Sequence, residues 1–398
     1  MLLLVSLIVA ALTPSLPGAI ASATIEKVCQ VAQSDCGDEA SAPRAAREPA
    51  APLDDEIDAE RVREAVDEIH SKLDPGGWGV TAGDLDRVRE ILLDLSPAER
   101  EAAILALSER DLEIWGDQMN ENTRTKGGWS TSEKDAFFSA ILPGLSPAAI
   151  ERLAATNGYL RPKFDGGNDY GAPDYSEQGP FDPSADDIDQ GGTGDCYFLA
   201  ALGAVAAADP GIVRRMVRRN PNGTYTVSFH PRGAWDVEGD DTFEVTVIPE
   251  FANGLNQPPS NADEFYMQII EKAWAQHGGG YDKVASSRSA IPLEMITGHE
   301  SSGSSIGLLS SFDPIEDALA EGRAVTASTD LTGNTPTVRL PDDSRAEVEI
   351  PGRHVFIVTD VRDGMIVVRN PWGGDNAEFL LTLHQFRANF SRYNEART

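Results

Sequence analysis

Apolar positions recur every three or four residues from about 61 to 160. Val62, Ala65, Val66, Ile69 and Leu73 form one stripe, and Leu85, Val88, Ile91, Leu92 and Leu95 form another. That spacing predicts amphipathic helices. Ser96-Pro97 and Ser146-Pro147 read as helix starts, with serine as cap and proline at the first helical position. The stretch also repeats itself: Gly76-Gly77-Trp78 leads to Leu95-Ser96-Pro97-Ala98, and Gly127-Gly128-Trp129 leads likewise to Leu145-Ser146-Pro147-Ala148. A period of about 50 residues lies in the range of helical arrays. Two copies predict a small helical module of two related halves, with no residue that suggests chemistry.

Beyond it the pattern changes. Residues 161–187 are loop-like and acidic. Cys196 to Ala208 is an apolar run halted by Asp209-Pro210, and Glu264 to Gln276 has helical amphipathicity. Strand-like runs follow at Thr224 to Phe229, Phe243 to Ile248, Ala324 to Ser328, His354 to Val361 and Met365 to Asn370. Helices followed by strands predict an α+β unit and not a parallel, doubly wound sheet. Ahead of the helical stretch, residues 24–60 are rich in Ala, Pro and charge and read as a flexible linker. Residues 1–23 carry no charged side chain, and Leu2 to Leu12 has the length of a leader's apolar core. The chain is therefore expected to be secreted or anchored in a membrane through residues 1–23, with a cytoplasmic location as the alternative.

Charge narrows the partners. The 398 residues hold 64 Asp+Glu against 33 Lys+Arg, a net charge of −31. Such a surface repels phosphate backbones, so nucleic acid is not expected, whereas cations such as calcium are attracted. Three cysteines exclude a disulfide-rich scaffold. Cys29 and Cys36 would close a small loop in an oxidising compartment, which leaves Cys196 as the odd thiol.

That thiol has a distinctive setting. Gln190-Gly191-Gly192-Thr193-Gly194-Asp195-Cys196 delivers a cysteine to the first turn of an apolar helix. A helix N-terminus favours the reactive thiolate, and Asp195 is placed to cap it. The bland reading is a buried, inert cysteine. A nucleophile needs a base, and of six histidines only His354 opens a strand, after the turn-like Pro351-Gly352-Arg353. Asp363-Gly364 is a hairpin signal that returns the chain through Met365 to Asn370. His354 and Asn370 then share one end of a hairpin, where Asn370 can orient the imidazole. Strict two-residue pairing sets Asn370 opposite Ile357, so a bulge or wider loop is needed to align them. Gln190, six residues before the cysteine, can donate its amide to an oxyanion alongside the Cys196 backbone N–H. Its ordinary reading is a solvated loop glutamine.

Taken together, Gln190-Gly191-x-x-Gly194-Asp195-Cys196-Tyr197-Phe198-Leu199, His354 and Arg369-Asn370-Pro371-Trp372-Gly373 resemble the catalytic core of the calpain family. Further likenesses lie at Ile270 to Trp274, Glu294 to Gly298 and Phe386 to Arg392. The similarity covers about 170–398. It implies a papain-like, two-lobed cysteine protease core, a helical lobe carrying the nucleophile and a β-rich lobe carrying His and Asn. It makes Cys196 the nucleophile, His354 the general base and acid, Asn370 the orienting residue and Gln190 an oxyanion donor. Protein or peptide substrates are implied, with no cofactor required for the chemistry and calcium as a possible activator whose ligands the sequence does not identify. The expected order is leader 1–23, linker 24–60, helical module 61–160 and protease domain 165–398. Tyr197 stands where the family usually has Trp, and Thr193 where it usually has Leu. Two other readings keep the same residues: a catalytically silent binding module of the same fold, and a thiol acyl-transferase or cell-wall peptide hydrolase.

Overall fold

The computed structural model describes residues 57–398 apart from 75, 77–78, 122–123, 163–169, 172–180, 233–241 and 253–265. The leader, the Cys29/Cys36 pair and nearly all of the expected linker lie outside the described residues. Helices α1 (Ala59–Leu73), α2 (Ala82–Asp94), α3 (Pro97–Ala106), α4 (Glu109–Asn120), α5 (Thr131–Ile141) and α6 (Pro147–Ala154) come first. Asp58, Thr81, Ser96, Ser108, Ser130 and Ser146 each accept a backbone N–H of the helix they precede. A cap of this kind contributes about 1 kcal/mol. Asp58 starts α1 two residues inside the expected linker. Pro97 and Pro147 occupy first helical turns, as their sequence context predicts. The helices share a core in which Trp129 packs edge-on against Phe137 at 5.2 Å.

The chain continues through β1 (Tyr170–Gly171), α7 (Cys196–Ala208) and α8 (Pro210–Met216). Asp209 ends α7 and accepts the Gly211 N–H, which starts α8 across a bend of 119°. The Asp-Pro stop is therefore a corner. Strands β2 (Val217–Arg219), β3 (Tyr225–Phe229) and β4 (Phe243–Val247) form an antiparallel sheet in that order, and β5 (Phe251–Ala252) pairs with β1. Helices α9 (Tyr266–Gly278) and α10 (Ala290–Thr297) follow. Helix α7 is buried from Tyr197 to Ala206, and its core includes side chains of α9, α10, β3 and β4. Among the described residues, no single helix is long and apolar enough to cross a membrane.

The remaining elements are β6 (Ser301–Ser305), α11 (Asp313–Ala320), β7 (Ala324–Thr329), β8 (Thr337–Arg339), β9 (Arg345–Glu347), β10 (Val355–Arg362), β11 (Met365–Arg369), β12 (Glu378–Thr382), α12 (Leu383–Asn389) and β13 (Phe390–Ala396). Their strands make one antiparallel sheet ordered β6-β13-β7-β10-β11-β12-β8-β9. Central strand β10 divides its side chains by the two-residue period. Val355 and Ile357 join the α7 core, whereas Phe356 and Val358 join a third core with Ile315 of α11 and Phe386 of α12. Helix and sheet are thus mixed, as the α+β expectation requires.

The helical segment is joined to the rest by polar groups as well as packing. Ser139 of α5 donates to the Glu244 carbonyl and accepts the Thr246 N–H, both at 2.9 Å, taking the place of a neighbouring strand on the open side of β4.

Close contact between α7 and β10 depends on Gly203. A Cβ there would meet Ile188 Cγ1 at 3.0 Å and Ile357 Cγ1 at 3.2 Å. Gly203→Val is expected to destabilise the protein by about 2–3 kcal/mol, read as a lower urea midpoint. An unchanged midpoint would contradict this packing.

Candidate active site

Cys196 is the first residue of α7, at the floor of a cleft of about 780 Å³ that also takes in Gln190, His354 and Trp372. Four hydrogen bonds fix the approach to it. The Gln190 N–H donates to the Pro371 carbonyl at 2.7 Å, and the Ser286 N–H donates to Gly194 at 2.9 Å. Tyr197 donates its hydroxyl to the Val284 carbonyl at 2.8 Å and accepts the Trp274 indole N–H at 3.1 Å. The tyrosine in place of tryptophan is thus fully partnered. Asp195 occupies the cap position but makes no capping hydrogen bond, contrary to expectation. Its carboxyl is buried beside that of Glu271 of α9 instead.

His354 is held from both sides of its backbone by Thr329 at the end of β7. The His354 N–H donates to Thr329 Oγ1 at 2.9 Å, and its carbonyl accepts the Thr329 N–H at 2.9 Å. Across the hairpin, Arg362 pairs with Met365 around a turn whose Asp363 and Gly364 both have positive φ, 53° and 71°. The register slips between Val358 and Asp360, so Arg369 faces Ile357. Asn370 consequently falls opposite Phe356, on the face that also carries His354. Without the bulge it would fall opposite Ile357 and point to the other face. The needed irregularity is a bulge at Thr359.

Asn370 Oδ1 lies 2.8 Å from His354 Nε2 and 3.1 Å from the Trp372 backbone nitrogen. A backbone N–H can only donate, so the atom it meets is the amide oxygen. That oxygen in turn requires the proton on Nε2, leaving Nδ1 with its lone pair free as a base. The Trp372 ring covers the imidazole at 4.7 Å between centroids. Gln190 reaches the same cleft, but its Nε2 donates to the Thr193 carbonyl.

Burial favours the neutral form of both Cys196 and His354. Burial pushes the Cys196 thiol up; the Val355 N–H lowers it and the Asp195 charge raises it further. Burial therefore outweighs the helix N-terminus, correcting the expectation of a favoured thiolate. Burial also lowers His354 to about 4, against the upward pull of the Asn370 hydrogen bond. Among the described residues no hydrogen bond joins the sulfur to the ring, and no group of three or more His, Cys, Asp or Glu side chains is arranged to hold a metal ion. A second concavity, about 730 Å³ between α5 and β4, holds Asp135 and His277 but no thiol.

The sequence did not single out Thr329, Trp372 as a ring cover, or Glu271. Thr329 is one residue beyond the expected end of a strand, and Glu271 reads as the solvated face of a helix.

A His354 ring that titrates at about 4 in the folded state stabilises the protein above its ordinary value near ~6.5. That contribution is lost as pH falls through about 4. An NMR titration should find wild-type His354 neutral at pH 6. In Asn370→Ala, without the interaction that raises it, the midpoint should be lower still. A midpoint at or above the ordinary value would contradict this geometry.

Residues 176–383 match the family model described as "Calpain family cysteine protease". The chain is 27% identical over 209 residues to the calpain-2 catalytic subunit of Gallus gallus, covering 47% of this chain and 28% of that protein. It is 27% identical over 216 residues to calpain clp-4 of Caenorhabditis elegans, covering 48% and 27%. To the calpain-type cysteine protease ADL1 of Oryza sativa subsp. japonica it is 30% identical over 206 residues, covering 48% and 9%. The aligned part of this chain thus spans little more than a quarter of the length of the first two relatives, and less of the third. The family match takes in more than half of the 398 residues, with Gln190, Cys196, His354 and Asn370 among them, and the chain belongs to the calpain family of cysteine proteases.

Proposed function

We propose that this chain is a cysteine-type endopeptidase that cleaves peptide bonds in proteins through a Cys196–His354–Asn370 triad and a thioester intermediate. The observation that carries the reading is a single cleft holding a thiol at a helix start and a histidine whose Nε2 is tied to Asn370 Oδ1, leaving Nδ1 as base.

The chemistry follows from those atoms. A substrate carbonyl enters beside Cys196, and the thiol proton passes to His354 Nδ1 as sulfur attacks. Negative charge develops on the carbonyl oxygen, where the Cys196 N–H and the second N–H of Gln190 Nε2 are the donors we assign. Nδ1–H then protonates the leaving amine as the C–N bond breaks, leaving a thioester. A water molecule gives its proton to Nδ1, attacks the thioester and releases the carboxylic acid, returning the sulfur to its thiol form. Because burial favours the neutral thiol and imidazole, the proton is proposed to move during attack.

The rest of the reading is architectural. The α7 core and the large sheet form the two lobes of a papain-like fold, with the cleft where Val355 and Ile357 meet α7. The helical segment 61–160 precedes a protease domain of 165–398. We further propose an exported or membrane-anchored location and a calcium-responsive activity. A leader and linker ahead of an enzyme suit a secreted effector acting on foreign proteins, and equally a processing protease acting on its own producer.

The test uses the full chain, an irreversible peptidyl thiol-protease probe with and without calcium, and mass spectrometry to read the labelled residue. Cys196→Ala should abolish labelling at that site and all hydrolysis of a protein substrate. His354→Ala should abolish labelling, while Asn370→Ala should retain hydrolysis reduced by about 10²-fold. Hydrolysis surviving in Cys196→Ala would refute the mechanism. An unlabelled wild type under both conditions would favour a silent binding module.

A further inference from the structure

Two buried acidic side chains, one of them next to the proposed nucleophile in the chain, play no part in the mechanism. Asp195 precedes Cys196 and is 0% exposed; Glu271 of α9 is 1% exposed. None of their four carboxyl oxygens has a hydrogen-bond partner among the described residues, and the two carboxyls lie close enough to share one proton. Two carboxylates cannot hydrogen-bond, since each offers only acceptors. Nor can two buried anions sit in contact with no cation; one proton must lie between them.

The surroundings supply no cation among the described residues. Cys196 and Tyr197 on α7 are the titratable neighbours that feel the Asp195 charge. The phenol is engaged with Val284 and Trp274, and the Phe198 and Trp274 rings stack at 4.6 Å where α7 and α9 meet. Lys272, next along α9, turns its ammonium to the carbonyls of Ile248 and Glu250 at 2.9 and 2.7 Å. No basic side chain among the described residues acts on either carboxyl.

We propose that Asp195 and Glu271 are positioning residues that hold one shared proton, Glu271 donating to Asp195, and that the charge of this pair sets how readily the Cys196 thiol ionises. A singly protonated pair carries one negative charge beside the sulfur and opposes thiolate formation. A doubly protonated pair carries none and releases that opposition. The direction of the titration agrees: burial raises both groups, Asp195 to about 7 and Glu271 well above its ordinary range. Raised folded values mean that this pair favours the folded chain at low pH, an advantage lost as pH rises through about 7. The role of Cys196 as nucleophile rests on the function proposed above; the shared proton and its effect on the thiol do not.

The experiment measures iodoacetamide alkylation of Cys196 against pH in the full chain, read by peptide mass spectrometry so that Cys29 and Cys36 do not interfere. Asp195→Asn removes the charge while the amide still satisfies Glu271, so the alkylation midpoint should fall by about one pH unit. Tenfold more thiolate, each less nucleophilic at the lower pKa, gives about threefold faster alkylation at neutral pH. Glu271→Gln keeps a donor to Asp195 and fixes it as a carboxylate, so its midpoint should stay at or above the wild-type value. A merely structural role would move both variants the same way. The infrared difference between wild type and Glu271→Gln at neutral pH should show the C=O stretch of a protonated carboxyl. Its absence, or a midpoint in Asp195→Asn that does not fall, would overturn the proposal, and the infrared test stands even if Asp195→Asn does not fold. Failure of the wild type to cleave proteins, with these shifts intact, would remove the protease reading alone.

Discussion

A single oxygen atom, Asn370 Oδ1, organises the reactive end of the molecule. It accepts from His354 Nε2 and from the Trp372 backbone, and in doing so fixes which nitrogen of the imidazole is free. Everything that brings this oxygen to the right place is a property of the sheet. The Asp363-Gly364 turn sets the register, the bulge at Thr359 shifts it by one, and the shift moves Asn370 to the face that carries His354. Thr329 then pins the His354 backbone from the neighbouring strand. The cysteine is supplied from the other side by α7, whose position depends on a glycine against Ile357.

Much of this was legible beforehand because it is local. A glycine-rich loop ahead of an apolar helix, and a two-residue turn between β-branched runs, are short-range patterns with short-range causes. The bulge was legible only as a need. Nothing in Val355-Phe356-Ile357-Val358-Thr359-Asp360-Val361 marks where the extra residue goes, since the run contains neither glycine nor proline. Strands β6 and β9 escaped notice for the opposite reason: Ser301–Ser305 and Arg345–Glu347 are polar, lie at the sheet's two edges, and owe their shape to the strands beside them. Helix α9 misled in its own way. Its sequence reads as amphipathic, yet Gln268, Glu271, Lys272 and Gln276 are all buried. Its polar face is covered by other parts of the chain and meets carbonyls and carboxyls there instead of water.

Electrostatics showed the limits of a sequence argument most clearly. A thiol at a helix N-terminus invites the inference of a thiolate, because the helix end is visible in the sequence and the burial is not. In the folded protein the desolvation of sulfur is the larger effect, and the same burial keeps the imidazole neutral. Cys196 and His354 are accordingly both pushed toward their neutral forms, and the buried Asp195 carboxyl stands next to the thiol in the chain.

Asp135 of α5 receives the Tyr159 hydroxyl at 2.7 Å and faces His277 Nδ1 of α9 at 2.7 Å, with almost no solvent exposure. The helical segment therefore supplies a carboxylate that belongs to the wall of the α7–α9 core. Cutting the chain near 165 would not release a finished domain from a passive escort. It would leave His277 without its acid, open the flank of β4 that Ser139 closes, and present a raw sheet edge to any other chain in solution. A shortened form would be expected to self-associate along that edge, so the helices serve solubility as much as shape.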